Sequence, residues 1–264
     1  MDIMQAFWLG LVQGLAEFLP ISSSGHLLLL QRIFGISNDS VTLEVLLHMG
    51  TLLAVIVVYW RRLLNMILHP LQSELWLLVV ATLPAVAAAL LFDFSDAFAG
   101  EFLGFSFLIT TLILWLSDLG AGVSFETKKV KWYNALVMGI MQAIAILPGV
   151  SRSGSTIAGG VSTGLSRKRA ADFAFLMSVP AILGSLVLEI ASALKGEGGL
   201  AASLASGDAL ALAVGVITSA VFGFIAIKTM LKIVRRVRLT WFGLYTGVLG
   251  VLILVDQYLT HIYF

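Results

Sequence analysis

The chain has 264 residues, 59% of them hydrophobic and 12% charged, with a net charge of +1 and no cysteine. A mean hydropathy of +1.00 excludes an ordinary soluble domain, in which about a quarter of residues are charged. The missing cysteine excludes a disulfide framework, a thiol nucleophile and a thiolate metal site, and no nucleic-acid-binding motif is found. The start, Met-Asp, lacks a basic segment, so a cleaved signal peptide is not expected.

In chain order, the first distinctive stretch is Gln13–His26, QGLAEFLPISSSGH. About 15 apolar residues run into Leu-Pro, then three serines, a glycine and a histidine. Proline removes a backbone donor and breaks the helix, and serine suits the N-cap of the half-helix that follows. Three apolar segments come next, Leu43–Trp60, Leu75–Phe92 and Phe102–Leu119, each near the ~20 residues a membrane crossing needs. The opening pattern then returns at Gln142–Gly154, QAIAILPGVSRSG, with the same offset from Gln to Gly. Three more apolar segments follow: Ala171–Ala191, Ala209–Ile227 and Trp241–Leu259.

Irregular backbone at membrane depth must be buried in protein or line a wet cavity, so both motif stretches read as re-entrant hairpins. Charge placement tests this. If each hairpin returns to its own side and six helices cross, one face collects Arg61, Arg62, Lys128, Lys129, Lys131, Arg167, Lys168, Arg169, Lys228, Lys232, Arg235, Arg236 and Arg238. The other keeps Arg32 and Lys195, with Asp39, Asp93, Asp96, Glu101 and Glu197. Thirteen against two is a strong positive-inside bias, and it collapses if the second stretch crosses fully. The expectation is an all-α integral membrane protein of six spanning helices plus two re-entrant hairpins. It forms a single membrane domain, 1–264, whose halves, approximately 1–119 and 132–264, are an inverted-topology repeat. Both termini fall outside, and the hairpin tips meet near mid-membrane, where repeat interfaces hold their sites.

The chemistry-bearing residues gather in the two hairpins. Glu17, one turn after Gln13, costs ~2.5–3.5 kcal/mol at bilayer depth, so it is a functional candidate; a structural bond to a broken helix end is the alternative. Gln13 is equally a site residue or polar glue. Ser22, Ser23, Ser24 and Gly25 open a helix whose N–H groups can cradle an anion, although serine caps are common. His26 adds a nucleophile or proton donor. In the second hairpin, Ser151, Ser153 and Gly154 flank Arg152, whose fork suits phosphate oxygens; a structural pair with Glu17 across the two-fold is compatible with that. His48 and Glu44, one turn apart, line the cavity or pack in the core. Asp172 reads as a helix-opening carboxylate, His69 and His261 as interfacial, and Gly243 with Gly247 as helix packing. Lys228–Arg238 follows from topology, with lipid headgroup contact as an alternative.

These residues, in QGLAEFLPISSSGH (Gln13–His26) and LPGVSRSGS (Leu147–Ser155), resemble the bacterial undecaprenyl-diphosphate phosphatase (bacitracin resistance protein) family over nearly the whole chain. The resemblance implies hydrolysis of a polyprenyl diphosphate substrate to the monophosphate and phosphate, which recycles the lipid carrier for cell-wall synthesis. It also implies a site open to the outer side of the cytoplasmic membrane and a divalent cation, Mg2+ or Ca2+. Glu17, Ser23, His26 and Arg152 match the family's catalytic positions. Gln13, Ser22, Ser24, Gly25, Ser151, Ser153 and Gly154 line the same loops as substrate-binding residues. Some members carry a second glutamate where this chain has Gln13, so the metal ligands here reduce to Glu17 and the amide oxygen of Gln13. The nucleophile stays open between Ser23, His26 and water, with Glu17 orienting the histidine or holding the metal. Assembly as a homodimer also stays open. A transporter or flippase of a lipid phosphate or small anion is the alternative reading, because carriers share this inverted layout.

Overall fold

The computed structural model describes residues 1–36, 41–70, 73–120, 129–194, 209–234 and 236–264. Asp39, Lys128, Lys195, Glu197 and Arg235, used above to count charge, lie outside the described residues. Eleven α-helices are described: α1 Ile3–Ala16, α2 Ser23–Ile33, α3 Val41–Leu68, α4 Leu75–Leu91, α5 Ser95–Phe98, α6 Leu103–Gly120, α7 Trp132–Ile144, α8 Arg152–Ser162, α9 Arg167–Leu194, α10 Ala209–Ile233 and α11 Thr240–Val255. A π-helical turn, Asp256–Thr260, extends α11.

Among the described residues, four stretches are long and apolar enough to cross a membrane: Leu43–Leu68, Arg167–Leu188, Ala209–Ile233 and Thr240–Thr260. Helix α4 has 17 residues, or ~26 Å at 1.5 Å each, just short of the ~30 Å hydrocarbon core. Large apolar side chains cover the outside, and polar side chains are buried within. Leu53, Val57, Ile217 and Val221 are more than half exposed, whereas Gln13, Glu17, Thr51, Thr110, Ser151 and Ser219 are buried. That arrangement suits a hydrocarbon solvent and makes the chain a multi-pass membrane protein.

Several expected boundaries shift. Helix α3 runs past Arg61 and Arg62 to Leu68, with a non-helical kink at Tyr59. Helix α9 starts at Arg167, so Asp172 does not open it; the Asp172 carboxylate accepts from the Tyr59 hydroxyl at 3.0 Å, tying the kink of α3 to α9. The charged ends of helices can continue into the interfacial layer, where a hydropathy window has already stopped.

Helix α1 packs on α2 and α10; α7 packs on α8 and α4; α3 meets α9, and α6 meets α11. The α1–α10 contact brings backbones together. A Cβ on Gly10 would lie 2.4 Å from the Gly215 carbonyl oxygen, and one on Gly14 would lie 2.7 Å from that of Ser219. In lipid, such small-residue faces allow the close van der Waals packing that joins helices. Ser219 Oγ also donates to Leu47 O at 2.9 Å, fastening α10 to α3. A larger apolar cluster joins Phe18 of the first tip to Leu114, Met138, Ile157, Phe175 and Ile227. Within it Phe18 meets Phe175 edge-to-face at 5.3 Å, which anchors the residue beside Glu17.

Candidate active site

Each hairpin breaks where its Leu-Pro lies. Helix α1 stops at Ala16, the chain turns through Pro20, and α2 starts at Ser23 with Ser22 as N-cap. Helix α7 stops at Ile144, and α8 starts at Arg152 with Ser151 as N-cap. Ser22 Oγ accepts from Gly25 N at 3.3 Å, and Ser151 Oγ accepts from Gly154 N at 3.1 Å. Both caps leave first-turn N–H groups at a helix start unused by the helix, which is an anion-binding arrangement.

The tips touch. Gly149 N donates to Ser22 Oγ at 3.1 Å, and Ser153 Oγ donates to Leu19 O at 2.8 Å. Gly149 has φ +93, and a Cβ there would lie 2.6 Å from Ser106 Cβ; glycine is the residue that fits both demands. A Cβ on Gly25 would lie 2.9 Å from Gly149 Cα, and one on Gly154 would lie 3.1 Å from Pro20 Cβ. Thr110 of α6 clamps the second tip: its hydroxyl donates to Gly149 O at 2.8 Å and accepts from Ser151 N at 2.9 Å.

The charged groups meet across this seam. Arg152 Nη2 pairs with Glu17 Oε1. The other carboxylate oxygen, Oε2, accepts from Ser23 Oγ at 2.6 Å and from Gln13 Nε2 at 3.0 Å, and His48 Nε2 stands 3.4 Å from it. Glu17 is only 4% exposed, so its charge depends on these partners. Ser23, His26, His48 and Arg152 are half-buried and border the accessible side of the cluster.

His26 is held apart from Glu17. Its Nδ1 lies 2.7 Å from Ser22 O and its Nε2 lies 2.7 Å from the Tyr245 hydroxyl. A carbonyl oxygen can only accept, so Nδ1 carries the hydrogen, and the neutral ring accepts from Tyr245 at Nε2. The Tyr245 ring stacks on His26 at 5.6 Å and Phe107 meets it edge-on at 5.4 Å. Among the described hydrogen bonds none joins Glu17 to His26; the imidazole against Glu17 is that of His48. Ser24 Oγ lies 3.5 Å from Ser22 Oγ, and Ser153 is spent on Leu19, so neither reaches the carboxylate in this arrangement.

The residues do not amount to a dedicated divalent-cation cage. Glu17 spends one oxygen on a guanidinium and the other on three groups. Gln13 turns its nitrogen to Glu17, which leaves its own Oε1 buried and without a partner among the described residues. Among the described residues no group of three or more His, Cys, Asp or Glu converges as a metal site. A hard cation wants about six or more oxygens.

Sequence reasoning singled out the hairpin residues but missed Thr110 and Tyr245. It left His48 undecided between cavity and core. The signal for His48 was its one-turn spacing from Glu44 inside an apolar span; Thr110 and Tyr245 gave none.

The family described as bacitracin resistance protein BacA matches residues 6–252 of the chain. An undecaprenyl-diphosphatase of Carboxydothermus hydrogenoformans is 42% identical over 260 residues, covering 97% of this chain and 98% of that relative. One from Halothermothrix orenii is 38% identical over 263 residues, with 97% and 98% covered. Undecaprenyl-diphosphatase 4 of Bacillus thuringiensis is 38% identical over 266 residues, the full length of both chains.

Proposed function

The chain belongs to the bacitracin resistance protein BacA family, and from that premise and the site we infer that it hydrolyses undecaprenyl diphosphate. The products are the lipid monophosphate and inorganic phosphate, so the reaction returns a lipid carrier for cell-wall precursor synthesis. One observation carries the assignment to this site: a guanidinium from one hairpin and a hydroxyl–carboxylate pair from the other share a single cluster.

We propose the following chemistry. The terminal phosphoryl group sits over the starts of α2 and α8, where helix N–H groups and Arg152 neutralise its oxygens. Ser23 Oγ attacks the terminal phosphorus as Glu17 takes its proton. The bond to the bridging oxygen breaks, and undecaprenyl phosphate leaves with the electron pair. Water then attacks the phosphoserine, gives up a proton, and frees Ser23 and phosphate. His26, fixed by Ser22 O and Tyr245, is the donor or acceptor for the leaving oxygen and the water. Ser23 is preferred over His26 as nucleophile because its hydroxyl already lies 2.6 Å from a carboxylate, whereas His26 Nε2 is engaged by Tyr245. A divalent cation, which the family resemblance implies, would find only Glu17 and Gln13 Oε1 among the described residues to hold it and would supply positive charge.

We further take α3, α4, α6, α9, α10 and α11 as the six crossing helices, and α1–α2 and α7–α8 as re-entrant hairpins in an inverted repeat within one membrane domain. The packing supports this, because α1 on α10 and α7 on α4 are the same contact with the halves exchanged. Exposed Trp76, Trp132 and Trp241 fall at helix starts and exposed Trp60 lies beside Arg61 and Arg62, as an interfacial belt should. With those ends cytoplasmic, both termini are outside and the site opens outward.

Phosphate released from undecaprenyl diphosphate by purified protein in detergent tests the reading, because a carrier without a gradient releases none. Rapid quench followed by mass spectrometry should find the phosphoryl group on Ser23. Turnover with the adduct on His26 would reassign the nucleophile, and no phosphate release at all would reject the hydrolase.

A further inference from the structure

Glu17 is gripped at both oxygens, and its partners differ in what substrate binding does to them. Arg152 Nη2 sits on Oε1. A phosphoryl group with two or more negative charges competes with Glu17 for this guanidinium and can draw it off Oε1. Gln13 lies one turn before Glu17 on the same helix, so it moves with the carboxylate and does not fix it relative to anything else. Ser23 is the group to be deprotonated. Among the described residues, His48 of α3 is the one partner that belongs to neither hairpin, with Nε2 3.4 Å from Oε2.

His48 is itself held. Its Nδ1 lies 2.7 Å from the Glu44 carbonyl oxygen one turn earlier, which sets the ring with Nε2 toward Glu17. Thr51 Oγ1 donates to the His48 carbonyl at 2.8 Å, and Ser219 Oγ donates to that of neighbouring Leu47 at 2.9 Å. The Glu44 carboxylate accepts from Gln31 at 3.4 Å. With an oxygen beside each ring nitrogen, the imidazole bridges the Glu44 carbonyl and the Glu17 carboxylate. This segment of α3 is therefore a rigid shelf beside the hairpin seam.

We propose that His48 is a positioning residue of the phosphatase, which keeps the Glu17 carboxylate aimed at Ser23 once Arg152 has left it for the diphosphate. The inference rests on the phosphatase reading. A buried carboxylate released at Oε1 is free to rotate and carry Oε2 away from the hydroxyl. A displacement near 1 Å is enough to cost on the order of 10²-fold in rate. His48 acts on the chemical step and not on capture of the lipid, so its loss falls on kcat.

Three substitutions separate this from a packing role. Gln presents an amide nitrogen near the place of Nε2; Asn presents one near the place of Nδ1, facing Glu44; Ala presents neither. Phosphate release by purified protein should show kcat lowered on the order of 10²-fold in both His48→Ala and His48→Asn, with KM within about 2-fold of wild type. His48→Gln should recover most of that loss. The proposal is overturned if His48→Asn matches His48→Gln, if the folded variants keep wild-type kcat, or if the whole change lies in KM. Should His48→Ala not fold, the Gln-against-Asn comparison still decides. Wild-type turnover in the same assay reports separately on the phosphatase reading, so the two can fail independently.

Discussion

Ser22 and Ser151 make the same cap from different backbone conformations, φ 69 at the first and φ -71 at the second. A serine hydroxyl accepts from the N–H three residues on, and a helix of 11 residues starts from it. The residues mounted on that shared frame differ. The first hairpin carries Gln13, Glu17, Ser23 and His26, all suited to moving or holding protons. In the second, the residues at the same offsets are Gln142, Ile146, Arg152 and Ser155, and the single charge is a guanidinium. Neither tip makes a phosphatase alone. In the proposed mechanism one supplies the base and nucleophile, the other the permanent positive charge, and the seam between them is where a diphosphate would meet both. A duplicated serine cap therefore sets the place, and divergence at three of these four positions, all but Gln13 and Gln142, sets the chemistry.

Removing the second hairpin's charge should have the largest effect. Arg152→Ala is expected to lower kcat for phosphate release by ~10³-fold, the scale for a main charge-stabilising donor. Arg152→Lys should recover little, because an ammonium lacks the fork. A mild Arg152→Ala phenotype would mean the two tips do not share the phosphoryl group.

The two caps give a subtler comparison. Ser22 Oγ serves two N–H groups, Gly25 and Gly149, while Ser151 Oγ serves the N–H of Gly154. Each buried N–H left unpaired costs about 1–3 kcal/mol, so Ser22→Ala should destabilise more than Ser151→Ala in detergent unfolding. Ser22 also sits at φ 69, a region glycine occupies without strain. Ser22→Gly should therefore lose less stability than Ser22→Ala. Equal losses from the two alanines would mean that the Gly149 contact does not join the tips.

The smallest effect is expected where the first hairpin leans on a distant helix. Tyr245→Phe removes one hydrogen bond to His26 and keeps the stacked ring. A neutral bond is worth about 1 kcal/mol, so kcat should fall by less than about 10-fold.

The features legible in sequence are those that local chemistry dictates. Proline after an apolar run marks the breaks, serine before glycine marks the caps, and an equal Gln-to-Gly offset relates the hairpins. Glu17 and Arg152 stood out because ions at membrane depth are costly, and the structure brings them together. The clamp by Thr110 and the Tyr245 contact depend on side chains 41 and 219 residues away from their partners, and a threonine or tyrosine in an apolar helix carries no mark of its target. His48 was visible as a polar residue in a span, but which carboxylate it faces depends on the α1–α3 packing. Helix ends were misjudged where interfacial arginines continue a helix beyond its apolar part, as at Arg61 and Arg62.

The central claim is that the hairpins meet through Glu17 and Arg152, and stability can test it directly. Removing one member of a buried ion pair costs about 3–5 kcal/mol, because the other is left charged and alone. Arg152→Ala should lower the unfolding midpoint in detergent, and adding Glu17→Gln to it should raise the midpoint again by removing the stranded carboxylate. A double variant less stable than Arg152→Ala, with the two losses simply adding, would contradict the contact on which the site is built.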